Sequence, residues 1–426
     1  MKSFITFANR FMKTMINEKN KHSWCVNAEH SMSANNDGST KMCCMIKDSY
    51  NNFEKTNKYI IGETSIVENF NNPSSIKIRE DLKAGIRNSA CDACWQEEDG
   101  GRKSKRMRDN EKYLHAKKYQ GKVFSGLVNL ELNLGNNCNI KCRTCHPSIS
   151  SQWMKEAYDL DHKGRISSYK KYAESMKKYH QHYDDESPFW SDLENNLQTI
   201  RQFDFYGGEP FLSKKMWEIL KLCVDKDYSK NIELHFNTNG TTWPKNIDES
   251  FKHFKEVNLS FSIDGIGERF EYMRYLAKWD EVRNNMEKAR TYMKTYGNMS
   301  LSWCITLSTI NIFYLKEILD FYYANYAKDF GLYLNLVHGP KHFNISTLPE
   351  DIKEFVLNEI NSIPENYESA KHQIPGIAGF IENGVSDIVN WNLFSHHIKK
   401  HDEYRKQNFS QTFPEYHKIL NDKGLF

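Results

Sequence analysis

Cys138, Cys142 and Cys145 stand in a C-x3-C-x2-C spacing within CNIKCRTC. Three thiolates this close on one short loop can hold three corners of an iron-sulfur cube and leave the fourth iron without a protein ligand. An iron with an open position is a place for chemistry. A cluster that only carries electrons takes a fourth cysteine, and a structural zinc site takes a fourth Cys or His. The adjacent His146 offers such a ligand, so a zinc site is the competing reading of this loop.

Four more cysteines pattern together nearer the start. Cys25 is followed by twelve residues, Gly38, four residues and Cys43, and later by Cys91 and Cys94 in CDACW. They read as a four-thiolate site whose glycine permits a tight turn before the second ligand, with a zinc knuckle on the same residues as the alternative. Cys44 adjoins Cys43 and competes for the second position, but Cys43 keeps the glycine spacing. Of the ten cysteines, Cys44, Cys223 and Cys304 remain outside these sets. Cys223 shares a helical stripe with Met216, Ile219 and Leu220, which reads as core packing.

These residues must be positioned by strands alternating with helices. Val128, Leu130, Leu132 and Leu134 alternate with polar neighbours, a period of two. The alternation recurs through Ile232–Phe236, Val257–Ile263 and Leu301–Leu307, with a further strand over Gly331–His338 and one carrying Asp204 and Tyr206. Parallel strands covered on both faces read as nearly continuous apolar runs. Here one face is polar and must be enclosed, which predicts a partial (β/α)6 TIM-like barrel in the α/β class. Its polar lumen would carry the functional loops at the C-terminal strand ends. The expected organisation is a Cys-rich unit over 1–120, the barrel over 121–340 and a helical extension over 341–426, in which no chemistry is readable.

FYGGEP (Phe205–Pro210), FNTNG (Phe236–Gly240) and FSIDG (Phe261–Gly265) follow the cysteine triplet in order. Together they resemble the radical S-adenosylmethionine (SAM) superfamily. The resemblance covers about half the chain and implies a catalytic [4Fe-4S] cluster on Cys138, Cys142 and Cys145. It further implies SAM bound at Gly207, Gly208, Glu209 and Pro210, and reductive cleavage of SAM to a 5'-deoxyadenosyl radical that takes hydrogen from a substrate. The protein's part is to bind, orient and exclude competitors. The pattern of Cys25, Cys43, Cys91 and Cys94, with QEEDGGRKSKR after it, resembles the SPASM/twitch auxiliary modules of such enzymes and implies a second [4Fe-4S] cluster. It is placed here before the barrel, where better-known examples place it after.

The resemblance also extends to single residues. Glu209 would accept from the SAM ammonium, and Gly207 and Gly208 would allow close backbone approach. Asn239 and Ser262 are expected at SAM hydroxyls or carboxylate, with Asn237 on the same lumen face. Asp264 is a candidate base or ribose ligand. Arg274 is a candidate partner of the SAM carboxylate, with a surface ion pair as the alternative. Cys304 is a candidate hydrogen donor, against a small buried core residue. Thr144 stands where the family usually has an aromatic residue, which leaves the apolar contact near adenine without its usual residue.

With 58 Lys and Arg against 55 Asp and Glu, the net charge is near +3 and predicts no nucleic-acid partner. The basic run Arg102–Arg108 is read as a solvated helix face continuing to about Lys118, with steering of an acidic partner as the alternative. Ten cysteines in a chain without a continuous apolar leader suit metal ligation in a cytoplasmic protein and no membrane span. The resemblance implies a peptide or protein substrate, with a small molecule (sugar, nucleotide or cofactor precursor) as the alternative, and a reducing partner such as flavodoxin or ferredoxin. A non-catalytic metal-binding protein is the reading from a different class.

Overall fold

The alternating side chains become two-faced ribbons in the computed structural model, which describes residues 16–46, 59–101, 103–115, 126–179 and 186–426. The strands are β1 (Ser31–Ala34), β2 (Thr40–Lys41), β3 (Asn129–Asn133), β4 (Gln202–Tyr206), β5 (Glu233–Thr238), β6 (Glu256–Ser262), β7 (Met299–Leu307) and β8 (Phe330–Leu336). They form one sheet in the order β2-β1-β3-β4-β5-β6-β7-β8. From β3 to β8 every neighbour pair is parallel, as a partial (β/α)6 barrel requires.

On the outer face, Phe203, Phe205, Leu234, Phe236, Leu259 and Trp303 are buried without exposed surface. Helices cover this face because it has no other way to leave water. Phe236 stacks on Phe205 at 5.3 Å and on Phe251 at 5.2 Å. Helix α1 is Lys105–His115, α2 is Lys214–Asp225, α3 is Trp279–Tyr296 and α4 is Ile388–Arg405. In α2, Ser213 caps the start by accepting from the Met216 amide, and Met216, Ile219, Leu220 and Cys223 are all buried. Cys223 is therefore a packing residue, its thiol pushed up to about 12 by burial.

Two strands of the sheet come from the N-terminal cysteine-rich region. β1 runs parallel to β3, with Met32 opposite Leu130 and Ala34 opposite Leu132, and β2 closes the edge antiparallel to β1. Four residues, SMSA, give too few alternations to announce a strand. The regions expected as 1–120 and 121–340 thus share one sheet.

Helix α1 overturns the expectation of a solvated basic face. Lys105 Nζ lies 3.1 Å from Glu131 of β3 and 3.2 Å from Asp109. Arg106 pairs with Glu98 at 2.5 Å and donates to the Trp24 carbonyl. Arg108 lies 5.5 Å over the Tyr333 ring of β8. The helix spans the polar face between the two ends of the parallel run, so its charges are answered inside the protein. Arg102 and the stretch 116–118 lie outside the described residues, as does most of the N-terminal segment read for a leader. The Lys- and Tyr-rich stretch between β3 and β4 forms a short helix, Tyr169–Ser175, and a single 3-10 turn, Lys177–Tyr179, and 180–185 lie outside the described residues. Among the described residues, no helix is long and apolar enough to cross a membrane.

Phe236 joins the sheet to Phe205, Phe211 and Phe251, so Phe236→Ala should lower the unfolding free energy by about 3–5 kcal/mol. Urea unfolding measures this. A loss below about 1 kcal/mol would mean that the stack does not hold the outer layer.

Candidate active site

The loop from Cys138 to Cys145 follows β3 and is pinned from several directions. The Lys141 amide donates to the Tyr275 carbonyl and the Arg143 amide to the Met273 carbonyl, at 3.1 and 2.8 Å. Trp153 Nε1 donates to the Cys142 carbonyl at 3.0 Å, and Ser150 Oγ donates to the Ile140 carbonyl at 2.6 Å. These bonds fix the backbone from which the three thiols project.

The thiols share one environment. Burial pushes Cys145 up to about 11 and raises Cys138 and Cys142 as well, and each of Cys142 and Cys145 feels the charge of the neighbouring thiols. Arg274 answers them. Its Nη1 donates to Cys142 Sγ at 3.7 Å and its Nη2 pairs with Asp264 at 2.7 Å. Burial works to lower the Arg274 pKa, but Asp264, Cys142, Cys145 and Cys304 outweigh it and hold the guanidinium charged.

Three thiols beside a buried cation fit a soft iron-sulfur group better than a closed zinc site. His146 Nδ1 shares a 2.6 Å hydrogen bond with Ser148 Oγ. Among the described residues, no three His, Cys, Asp or Glu side chains already stand in ligating geometry about one point.

The GGEP turn packs against this loop. A Cβ on Gly208 would stand 2.1 Å from the Asn137 carbonyl oxygen, and one on Gly207 would stand 1.6 Å from Asn133 Oδ1. Both glycines also have positive φ, 84° and 45°. No side chain fits at either position. Pro210 begins the short turn after Glu209.

Glu209 is turned inward. Its carboxylate accepts from Thr238 Oγ1 at 2.8 Å, the Asn239 amide at 2.7 Å and the Phe211 amide at 3.2 Å. It therefore ties the end of β4 to the end of β5. Burial pushes this carboxyl up to about 7, against the lowering effect of those donors and of Arg274.

The other expected residues divide between this cluster and the strand faces. Asn239 Nδ2 lies 3.8 Å from Cys138 Sγ and 3.0 Å from Asn139 Oδ1, so its amide serves the cysteine loop. Asp264, read as a base or ribose ligand, is buried in its ion pair with Arg274 and accepts from the Thr306 amide at 2.9 Å. Arg274 is no surface ion pair. Ser262 faces Cys304 across the β6–β7 ladder, and Asn237 faces Ser260 across β5–β6. Burial, with Asp264 next, pushes Cys304 up to about 12.

In the N-terminal region, Cys25, Cys43 and Trp95 share a small buried core, with Cys91 against it. Cys25 feels the charges of Cys91 and Cys94, and Cys43 feels that of Cys25. Cys44 turns to the barrel, its amide donating to Glu131 at 3.0 Å and its thiol at 3.5 Å. Glu131 with Lys105, Asp204, His235 and Tyr206 forms a buried polar group on the lumen face. Burial raises Asp204 and Tyr206 and lowers His235.

The C-terminal extension supplies residues that the sequence did not announce. Arg143, next to Cys142, is fully buried and paired with Asp402 of α4, and Glu156 accepts from His401 and Arg405 of the same helix. These partners lie about 245 or more positions apart, and no local spacing signals them.

Glu209 allows a pH test. Its folded pKa lies above the ordinary value of 4.5, so the folded chain holds an extra proton between about pH 4.5 and 7. The stability from that proton is present at low pH and is lost as pH rises through 7. Relative to Glu209→Gln, the wild type should lose about 3 kcal/mol of unfolding free energy between pH 5 and 8. Denaturant unfolding across that range checks it, and parallel profiles for the two proteins would contradict the buried-carboxyl account.

No curated protein sequence matches this chain. Similar solved structures include native anSMEcpe with bound AdoMet, at 18% identity and a TM-score of 0.37 over 55% of this chain and 59% of that one. Another is native anSMEcpe with AdoMet and the Cp18Cys peptide, at 17% and 0.38 over 57% and 62%. A third is Streptococcus suis SuiB bound to S-adenosylmethionine, at 13% and 0.33 over 80% and 61%. The match thus spans about six-tenths of each of those chains. Residues 132–301, from the end of β3 into β7 and including Cys138–Cys145, GGEP, Asp264 and Arg274, match the family described as the radical SAM superfamily.

Proposed function

We propose that the chain is a radical SAM enzyme that takes hydrogen from a peptide or protein side chain. The observation that carries the reading is the convergence of three thiols, the Arg274–Asp264 pair and the GGEP turn at the C-terminal ends of the strands. Cys138, Cys142 and Cys145 hold a [4Fe-4S] cluster, and SAM sits against Gly207, Gly208, Glu209 and Pro210. Together these groups supply one-electron cleavage of SAM and hydrogen-atom abstraction when bound.

The chain's own residues prepare that chemistry. Arg274 balances thiolate charge and is itself held by Asp264, which makes Asp264 a positioning residue. Glu209 gives three acceptor positions to the protein, and a carboxylate has about four. The remaining one suits the SAM ammonium. Asn237 and Ser262, on the polar face, are placed for SAM hydroxyls or carboxylate, while Asn239 orients the cysteine loop. Cys304 stays a neutral thiol and is the candidate hydrogen donor to substrate.

Cys25, Cys43, Cys91 and Cys94 hold a second [4Fe-4S] cluster, Cys43 being preferred to Cys44 because it keeps the glycine spacing. The peptide substrate follows from the resemblance of this four-cysteine set to the modules of peptide-modifying members. A flavodoxin or ferredoxin supplies the electron.

Iron and acid-labile sulfide after anaerobic reconstitution test the assignment. About eight irons per chain should fall to about four when Cys138, Cys142 and Cys145 are replaced together. About four falling to none would remove the second cluster from the reading. Cys142→Ala should also abolish 5'-deoxyadenosine formation, and its persistence would defeat the catalytic assignment.

A further inference from the structure

A network of buried charges lies between the cysteine loop and helix α4, and it contains neither a cysteine nor a GGEP residue. Lys141 Nζ, Arg405 Nε and His401 Nδ1 lie 2.7, 2.8 and 2.5 Å from the one carboxylate of Glu156. Arg143 pairs with Asp402, and its Nη2 also donates to Gln407 at 2.8 Å. Asp402 accepts in addition from Tyr272 Oη and the Phe409 amide, at 2.7 and 2.6 Å. Arg143, Glu156 and Arg405 are buried.

The charges in this network do not balance. Burial lowers His401, so its imidazole is neutral. Among the described residues, Lys141, Arg143 and Arg405 are then answered by the carboxylates of Glu156 and Asp402 alone. Burial, and then Arg143, pull Arg405 down to about 10, which leaves it charged at neutral pH. Nη1 and Nη2 of Arg405, and Nε and Nη1 of Arg143, are buried without acceptors. Ring faces stand against these guanidinium groups instead. Arg405 Cζ lies 4.5 Å from the Trp153 ring and 5.1 Å from the Tyr275 ring, and Arg143 Cζ lies 4.1 Å from the Tyr272 ring. A ring attracts a cation through its quadrupole, but it has no net charge with which to cancel it.

The excess stands beside the central cysteine of the loop. Trp153, which carries Arg405 on its face, donates Nε1 to the Cys142 carbonyl at 3.0 Å. Tyr275, the second ring against Arg405, accepts the Lys141 amide on its carbonyl at 3.1 Å. Arg405 accordingly feels the charge of Cys142. Arg274, on the other hand, has a carboxylate of its own in Asp264 at 2.7 Å.

We infer that helix α4 sets the reduction potential of the cluster held by Cys138, Cys142 and Cys145, with Arg405 as a positioning residue whose uncompensated charge favours the reduced state. The inference rests on the radical SAM reading for the presence of that cluster. Three thiolates on the oxidised, dicationic core leave one net negative charge, and a second arrives with the electron. The reduced flavodoxin or ferredoxin gives up that electron and is itself oxidised. A fixed cation attracts the more negative state more strongly, so it raises the potential.

Potentiometric titration followed by electron paramagnetic resonance tests it, on the anaerobically reconstituted full chain without SAM. The signal to follow is the one that disappears when Cys138, Cys142 and Cys145 are replaced together. Arg405→Gln should shift the reduction equilibrium at least tenfold toward the oxidised state, about 59 mV downward for a one-electron couple. Glu156→Gln should shift it at least tenfold the other way, and Arg405→Lys should keep the wild-type potential. Opposite signs separate charge from packing, because a loosened loop would move both variants alike. If Arg405→Gln or Glu156→Gln fails to fold, Lys141→Gln and Asp402→Asn, at side chains each 13% exposed, should give the same downward and upward pair. The inference is overturned by unchanged potentials, by shifts of one sign, or by Arg405→Lys moving as far as Arg405→Gln. Loss of the cluster iron from every variant would also overturn it, since the network would then only hold the loop. SAM cleavage by the wild type separates the two readings: cleavage with unshifted variant potentials removes this inference alone, and a wild type that binds no cluster on the three cysteines removes the radical SAM assignment.

Discussion

The Arg274 guanidinium is the constraint on which the rest of the site depends. It is a buried cation, and a buried cation needs opposite charge close by. Asp264 supplies it at 2.7 Å, and Cys142 lies 3.7 Å away on the other side. Asp264 in turn accepts the Thr306 amide of β7, so one ion pair links the cysteine loop, the end of β6 and β7. Removing either charge would leave the other buried and uncompensated. The same arrangement accounts for the difficulty of ionising the thiols in the free chain. Burial raises all three, and thiolates form readily only when a metal replaces their protons.

The polar face has its own constraint. An open run of parallel strands with Glu131, Asp204 and His235 in register has to pair those charges or expose them. Helix α1 answers with Lys105, and β1 extends the sheet so that the N-terminal region arrives at the right height. Cys44 is drawn to Glu131 by the same need. Cys43 lies in the small core with Cys25 and Trp95, and Cys44, packed against the same core, joins it to Glu131.

Much of this was legible in the sequence where the signal was periodic or tightly spaced. The period-two alternation located four of the six parallel strands, β3, β5, β6 and β7, to within a few residues, because one apolar and one polar face leave a regular trace. The C-x3-C-x2-C loop was legible from the tight spacing of its thiols, and the glycine pair because close backbone approach permits no other residue there. Arg106 and Lys105 were misread as solvated, since a basic run looks the same whether its partners are water or distant carboxylates. Glu209, Asn239 and Asp264 stood out in the sequence as candidate site residues, but their partners did not. Each makes its bonds to another loop, and sequence carries no measure of those distances.

The C-terminal helix was opaque for the same reason in a stronger form. α4 buries Trp391, Phe394 and Ile398 at helical spacing, but Ile388, Val389 and Leu393 face outward and blur that stripe in the sequence. Further along, the same face turns polar, with His401 and Arg405 buried against Glu156 and with Asp402 against Arg143. A helix that docks partly through ion pairs shows only part of the amphipathic trace by which docking is usually recognised. Burying such groups is costly unless each finds its partner, so a hydrophobic face would have docked the helix at less expense in desolvation. What the polar face supplies instead is position: Arg143 is one residue from Cys142, and Glu156 grips Lys141 on its other side. The helix thereby holds both neighbours of the central cysteine, and the loop that carries the chemistry is clamped from the far end of the chain.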